Sequence, residues 1–172
     1  MKFLRYALPV IVMNLLIPAG AQSPSNQAFD QLKSLAGKWE GTTTTVPVTP
    51  AIEGSHVQIT MRVTSSGHAI LHEIKTEGRP DDPVTMLYLN GDHLYLTQYA
   101  DFGNRPRMEA DSMLHGNTLE FSEVDVSGPT QWGYMEHATF TIINSNHHVE
   151  DWTFLAPGNH ALRVHFDLHR VP

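Results

Sequence analysis

The chain has 172 residues, no cysteine, eleven histidines and a formal charge of −7 at pH 7. That length suits one domain with one buried core. Without cysteine there is no disulfide, no thiol chemistry and no lipid-bearing leader cysteine, and the acidic balance argues against nucleic acid or an anionic membrane surface as partner.

Residues 1–21 have the three parts of a secretory signal: Lys2 and Arg5 at the start, an apolar stretch from Ala7 to Ile17, and Ala19-Gly20-Ala21 as a small-residue cleavage site. The mature protein is expected to begin near Gln22. The apolar stretch holds Pro9 and Asn14 and falls short of the roughly 20 residues that cross a bilayer, so no stable membrane insertion is expected after cleavage. The chain therefore divides into a signal peptide, 1–21, and a single domain, 22–172. Export without cysteine suits a bacterial periplasm or the surrounding medium.

Phe29, Leu32 and Leu35 recur at helical spacing, with Ser25 or Asn26 available as cap and Gly37 as stop. This predicts one short helix over about 27–36. Beyond it the period changes to two. Val57, Ile59, Met61 and Val63 alternate with polar neighbours, as do Leu162, Val164, Phe166 and Leu168 near the end. Further strands are predicted near 38–45, 68–76, 84–90, 93–100, 106–113, 117–124, 135–143 and 147–155. Turn signals separate them, with Asn90-Gly91 the strongest for a tight hairpin. Links this short favour an antiparallel meander. About ten such strands curl until their edges meet, which also removes exposed edges. The expected fold is all-β, an antiparallel up-and-down barrel of about ten strands with the helix capping one end.

Two stretches carry a family resemblance. Leu35-Ala36-Gly37-Lys38-Trp39-Glu40-Gly41 is similar to the opening of lipocalin-like (calycin) barrels. There, the tryptophan plugs the floor and a late arginine stacks on its ring; the resemblance implies this role for Trp39 with Arg163 or Arg170. The segment 86–99, continuing through Gly103-Asn104-Arg105-Pro106-Arg107-Met108, resembles small exported bacterial proteins of the DUF1579 lipocalin-like type, and Tyr134 to His137 and Asp151 to Phe154 fit the same pattern. Such proteins often carry His and Cys flanking the tyrosine of the central strand, where this chain has Gln98 and Ala100, so metal or thiol chemistry does not carry over to those positions. The opening also resembles that of nitrobindin-like haem barrels. That resemblance implies haem as an alternative cofactor, with His160 as the iron ligand.

A barrel wider than about eight strands is more than its own side chains fill, so a cavity for a small hydrophobic ligand is expected. Tyr88, Tyr99, Trp132, His137, Trp152 and Phe154 are candidates for its wall. Arg107 is expected to cross to a carboxylate or, if it points inward, to hold an anionic ligand. His72 falls on the apolar face of its strand and reads as a hydrogen-bonded core residue. His165 and His169 share a wet face but lack a third ligand, and His147-His148 reads as a solvated turn, so no metal site is expected. No nucleophile elbow, phosphate loop or metalloprotease run is present, and no catalytic residue is assigned. The alternatives to a carrier are a haem protein, a cavity enzyme using a His/Glu pair such as His137 with Glu150, and an interaction module with a filled core.

Overall fold

The computed structural model describes residues 22–80, 83–111 and 116–172; the expected signal peptide lies outside the described residues. Helix α1 spans Pro24–Ser34. Ten strands follow: β1 (Gly37–Val46), β2 (His56–Thr64), β3 (Ala69–Thr76), β4 (Val84–Asn90), β5 (His93–Tyr99), β6 (Arg105–Ala110), β7 (Thr118–Ser127), β8 (Tyr134–Asn144), β9 (His147–Ala156) and β10 (His160–Val171). Every strand pairs antiparallel with its sequence neighbours, and β1 pairs with β10 to close the cylinder. The expected barrel is therefore the observed one.

The helix starts three residues before the expected position. Ser23 is the N-cap, its hydroxyl accepting from the Asn26 backbone N–H at 3.3 Å, and Pro24 stands in the first turn, where its fixed φ and missing N–H are harmless. Ala28, Phe29 and Leu32 form its buried stripe, laid against the β4 and β5 end of the barrel.

Trp39 is fully buried at that end. Its indole N–H donates to the Leu35 carbonyl at 2.8 Å, and the Arg170 guanidinium lies 4.2 Å from its ring centroid. Arg170 also donates to the carbonyls of Ser34 (3.0 Å), Ala36 (2.7 Å) and Ser145 (2.8 Å). One side chain thus ties the end of α1 to β10 and covers the plug, a use of the planar guanidinium fork that lysine could not reproduce. Of the two arginines weighed for this role, Arg170 fills it. Arg163 is exposed toward the opposite end, paired with Val46 and Thr153.

The glycines of the opening motif have a steric reason. Gly37 has φ +144°, and a Cβ there would collide with the Arg170 guanidinium; a Cβ on Gly41 would overlap the Asp167 carbonyl oxygen. Both allow β10 to approach β1 closely enough to close the sheet.

Alternation fixes what faces inward: Val57, Ile59 and Met61 on β2, Ile70, His72 and Ile74 on β3, and Val164, Phe166 and Leu168 on β10 are all buried. On β4, Thr85 and Leu87 point in while Met86 and Tyr88 point out. Three register shifts interrupt the rhythm among the described residues, between Arg107 and Met108 opposite β7 and, opposite β9, between Met135 and His137 and between Ile142 and Asn144. Each adds a residue to one strand and reverses which side chains face inward beyond it.

Candidate functional site

The half of the barrel next to α1 is filled, and the half away from it is hollow. In the filled half, Trp39, Phe121 and Phe140 pack around a polar cluster whose members are all inaccessible to water. Glu150 on β9 is its centre. Its carboxylate accepts from His72 Nε2 at 3.1 Å to each oxygen, from His148 Nε2 at 3.0 Å and from Trp152 Nε1 at 3.0 Å. His148, Glu150 and Trp152 reach the same place because they alternate on one strand, and His72 meets them from β3 across the lumen. Burial pushes the Glu150 carboxyl upward, but the facing His72 charge, hydrogen bonds from His148 and His72, and the His148 charge outweigh it and hold it well below the usual carboxylate range. Both imidazoles therefore present Nε2–H to the carboxylate, and their Nδ1 atoms have no protein partner among the described residues.

Above this cluster lies a cavity of about 190 Å³. Ile74, Gln98 and Trp152 form its floor; Thr43, Ile52, Met135, Phe154, Leu162, Val164 and Phe166 line its side. Its mouth is bordered by Tyr134, Ala100, Phe102 and the Arg79–Asp101 ion pair at 2.7 Å. Phe102 is 42% exposed and its ring lies 5.9 Å from that of Phe154, so the entrance is aromatic. Gln98 is 2% exposed and lines the cavity. Next to it in the sheet register is Thr85, whose buried hydroxyl has no partner among the described residues, as is true of the cavity-lining Thr43. A mainly greasy wall thus carries a few hydrogen-bonding groups at its base, the composition typical of a small-molecule pocket.

Of the predicted wall residues, Trp152 and Phe154 line the cavity. The others do not. Tyr88 lies on the outer face, its hydroxyl 3.3 Å from Thr97 Oγ1, and Tyr99 is 51% exposed on the same side of the sheet. Trp132 is 63% exposed in the β7–β8 loop. Arg107 crosses to the Asp125 carboxylate and stacks at 5.5 Å on Tyr95, so it forms a surface ion pair and does not reach the cavity. His137 would face inward if the alternation of β8 ran unbroken from Met135; the register shift after Met135 turns it outward, where it bonds Glu120 at 2.9 Å. The acid–base pairing of His137 with Glu150 is therefore absent, and Glu150 is engaged beneath Trp152, shut off from the cavity.

Sequence reasoning also missed residues. His148 is fully buried at the head of β9, not in a solvated turn, because the β8–β9 turn is confined to Ser145 and Asn146. The alternation His148, Glu150, Trp152, Phe154 carried that signal. Gln98 and Ala100, singled out only as departures from a family pattern, both line the cavity. Phe102, in a loop, had no periodic signal at all.

No protein-family model matches the chain. No curated protein matches it either. Solved structures do. The crystal structure of Rv2717c from M. tuberculosis aligns with a TM-score of 0.64 at 15% identity, covering 84% of this chain and 98% of that one. A protein of unknown function from the DUF3598 family of Nostoc punctiforme aligns with a TM-score of 0.58 at 11% identity, covering 81% of this chain and 48% of that one, so this chain spans about half its length. At these identities the likeness establishes the fold, a β-barrel like lipocalin-type barrels.

Haem does not fit the hollow half. His160 is exposed at the head of β10 and does not line the cavity. The volume of about 190 Å³ is below the ~300–1,000 Å³ of sites for drug-sized ligands, and a tetrapyrrole is larger still.

Proposed function

We propose that the protein binds and carries a compact, mainly apolar molecule with one hydrogen-bonding end. The carrying observation is the cavity itself: apolar walls from β9 and β10 beside the buried Thr43 hydroxyl, which has no hydrogen-bond partner among the described residues. An unpaired hydroxyl shut off from water is unfavourable by about 1–3 kcal/mol, which a ligand carbonyl or hydroxyl would relieve. The volume sets the size class, since a dry cavity of about 150 Å³ in another protein accepts benzene. A single-ring aromatic or a short acyl chain fits that class.

The leader read in residues 1–21 and the DUF1579-like segments extend the proposal to an exported bacterial carrier of the lipocalin-like type. N-terminal sequencing of protein from a periplasmic extract checks this, the expected start lying near Gln22.

Phenol and butyl alcohol are suitable probes. Their addition to ¹⁵N-labelled protein is expected to shift amide signals of Gln98, Trp152 and Phe154 in a saturable way. Val164→Phe, which fills the cavity from β10, is expected to abolish the shifts. Probes that shift nothing, or shift the filled variant equally, would remove the reading.

A further inference from the structure

On the outer wall, at the α1 end of the barrel, two histidines and a carboxylate converge. His147 on β9 and His169 on β10 are register partners, side by side on the wet face, and Asp167 stands two residues along β10 on that face. The imidazole rings stack with centroids 4.4 Å apart and planes inclined by 20°. His147 Nε2 lies 2.7 Å from Asp167 Oδ1 and His169 Nε2 lies 3.7 Å from the same oxygen. One candidate ligand atom from each residue falls within 4.8 Å of the others. We propose that His147, Asp167 and His169 form a binding site for a divalent transition-metal cation of the zinc class.

Three features of the geometry carry this. A hydrogen bond accounts for His147 but not for His169, whose nitrogen stands 3.7 Å from the same oxygen, beyond hydrogen-bond distance. A cation between the three atoms gives both rings a reason to face one carboxylate. Zinc bonds to imidazole nitrogen and carboxylate oxygen of about 2.0–2.2 Å place tetrahedral ligand atoms roughly 3.3–3.5 Å apart, and the separations of 2.7 and 3.7 Å bracket that value. Small side-chain rotations on exposed groups close the difference. The donor set of two imidazoles and one carboxylate suits zinc, copper, nickel or cobalt more than calcium or magnesium, which take oxygen alone.

The surroundings favour a cation. Glu40 on β1 is the register partner of His169 and lies on the same face, its carboxylate 3.8 Å from His56 Nε2 and accepting from Gln58 at 3.0 Å. A second carboxylate therefore flanks the site. The open side faces solvent, so water fills the fourth position. The neighbouring His165–Asp151 pair, at 3.0 Å, has no third ligand among the described residues and supplies an internal comparison.

The test is zinc titration of the chain without a histidine tag, by calorimetry and by competition with a zinc indicator. One equivalent is expected to bind. His169→Ala and Asp167→Asn should each weaken it at least about tenfold, the range seen when the groups around a metal are altered, and His165→Ala should leave it unchanged. Substoichiometric copper(II) should broaden backbone amide signals around His147 and His169 before those of any other histidine. All three side chains are half-buried or exposed, so thermal melts of the variants are expected to match the parent. Non-saturable binding, broadening centred elsewhere, or equal weakening by His165→Ala would overturn the proposal.

Discussion

Glu150 is a carboxylate sealed from water and held by three N–H donors, His72, His148 and Trp152. Removing it leaves those donors facing each other without an acceptor, which is why breaking a buried ionic cluster by deleting one member typically destabilises by about 3–5 kcal/mol. Glu150→Ala is expected to lose stability in that range in urea unfolding at neutral pH. The same residue sets a pH dependence with a definite sign. Its carboxyl titrates below the ordinary value of 4.5 in the folded chain, so the unfolded chain takes up the proton first as acid is added. The stabilisation is therefore complete above about pH 4.5 and is lost as pH falls from there toward the folded value. Glu150→Gln should flatten the acid limb of the stability curve; an unchanged limb would show that other carboxylates govern it.

At the level of elements, α1 is held by contacts that come from the far end of the sequence. Arg170 donates to two carbonyls at the close of α1 and lies on Trp39, which itself donates to Leu35. Hydrogen bonds from a charged donor are worth about 1.5–3 kcal/mol, so Arg170→Ala is expected to release α1 before the barrel. Amide hydrogen exchange should quicken over 24–36 while β2 and β3 keep their protection; uniform quickening would mean that α1 and the barrel open as one unit. The strands themselves were legible because their period of two survives in the residues, most plainly on β2 and β10. The inward faces were legible only where that period is uninterrupted. Glu136 adds one residue to β8 and inverts His137, and nothing in the local sequence marks the insertion, since a bulge is fixed by the partner strand, Phe154 and Thr153 here. The buried cluster was half legible: His72 stood out among Ile70 and Ile74, whereas its partner Glu150 lies 78 positions away and only closure of the cylinder brings them together.

For the whole molecule, closure decides solubility as well as shape. β1 and β10 pair from Lys38↔Val171 through Val46↔Arg163, joining the two ends of the domain. Contacts of such sequence separation form late and slowly, so the open meander exists transiently with both edge strands bare. Those edges are β1, with its run from Thr42 to Thr45, and β10, whose inner face carries Val164, Phe166 and Leu168. A chain ended at Asn159 lacks β10 and cannot close. It loses the register partners of both neighbours and exposes the Trp39 plug that Arg170 covers. Unpaired edges next to an apolar lumen favour edge-to-edge association. Such a chain is expected to elute as large aggregates in size-exclusion chromatography with light scattering, and adding a synthetic peptide of residues 160–172 during refolding should restore part of the compact species. If the shortened chain instead stays monomeric and keeps its strand signal in circular dichroism, the nine remaining strands must cover their own edges, and closure by β10 would be dispensable for the fold.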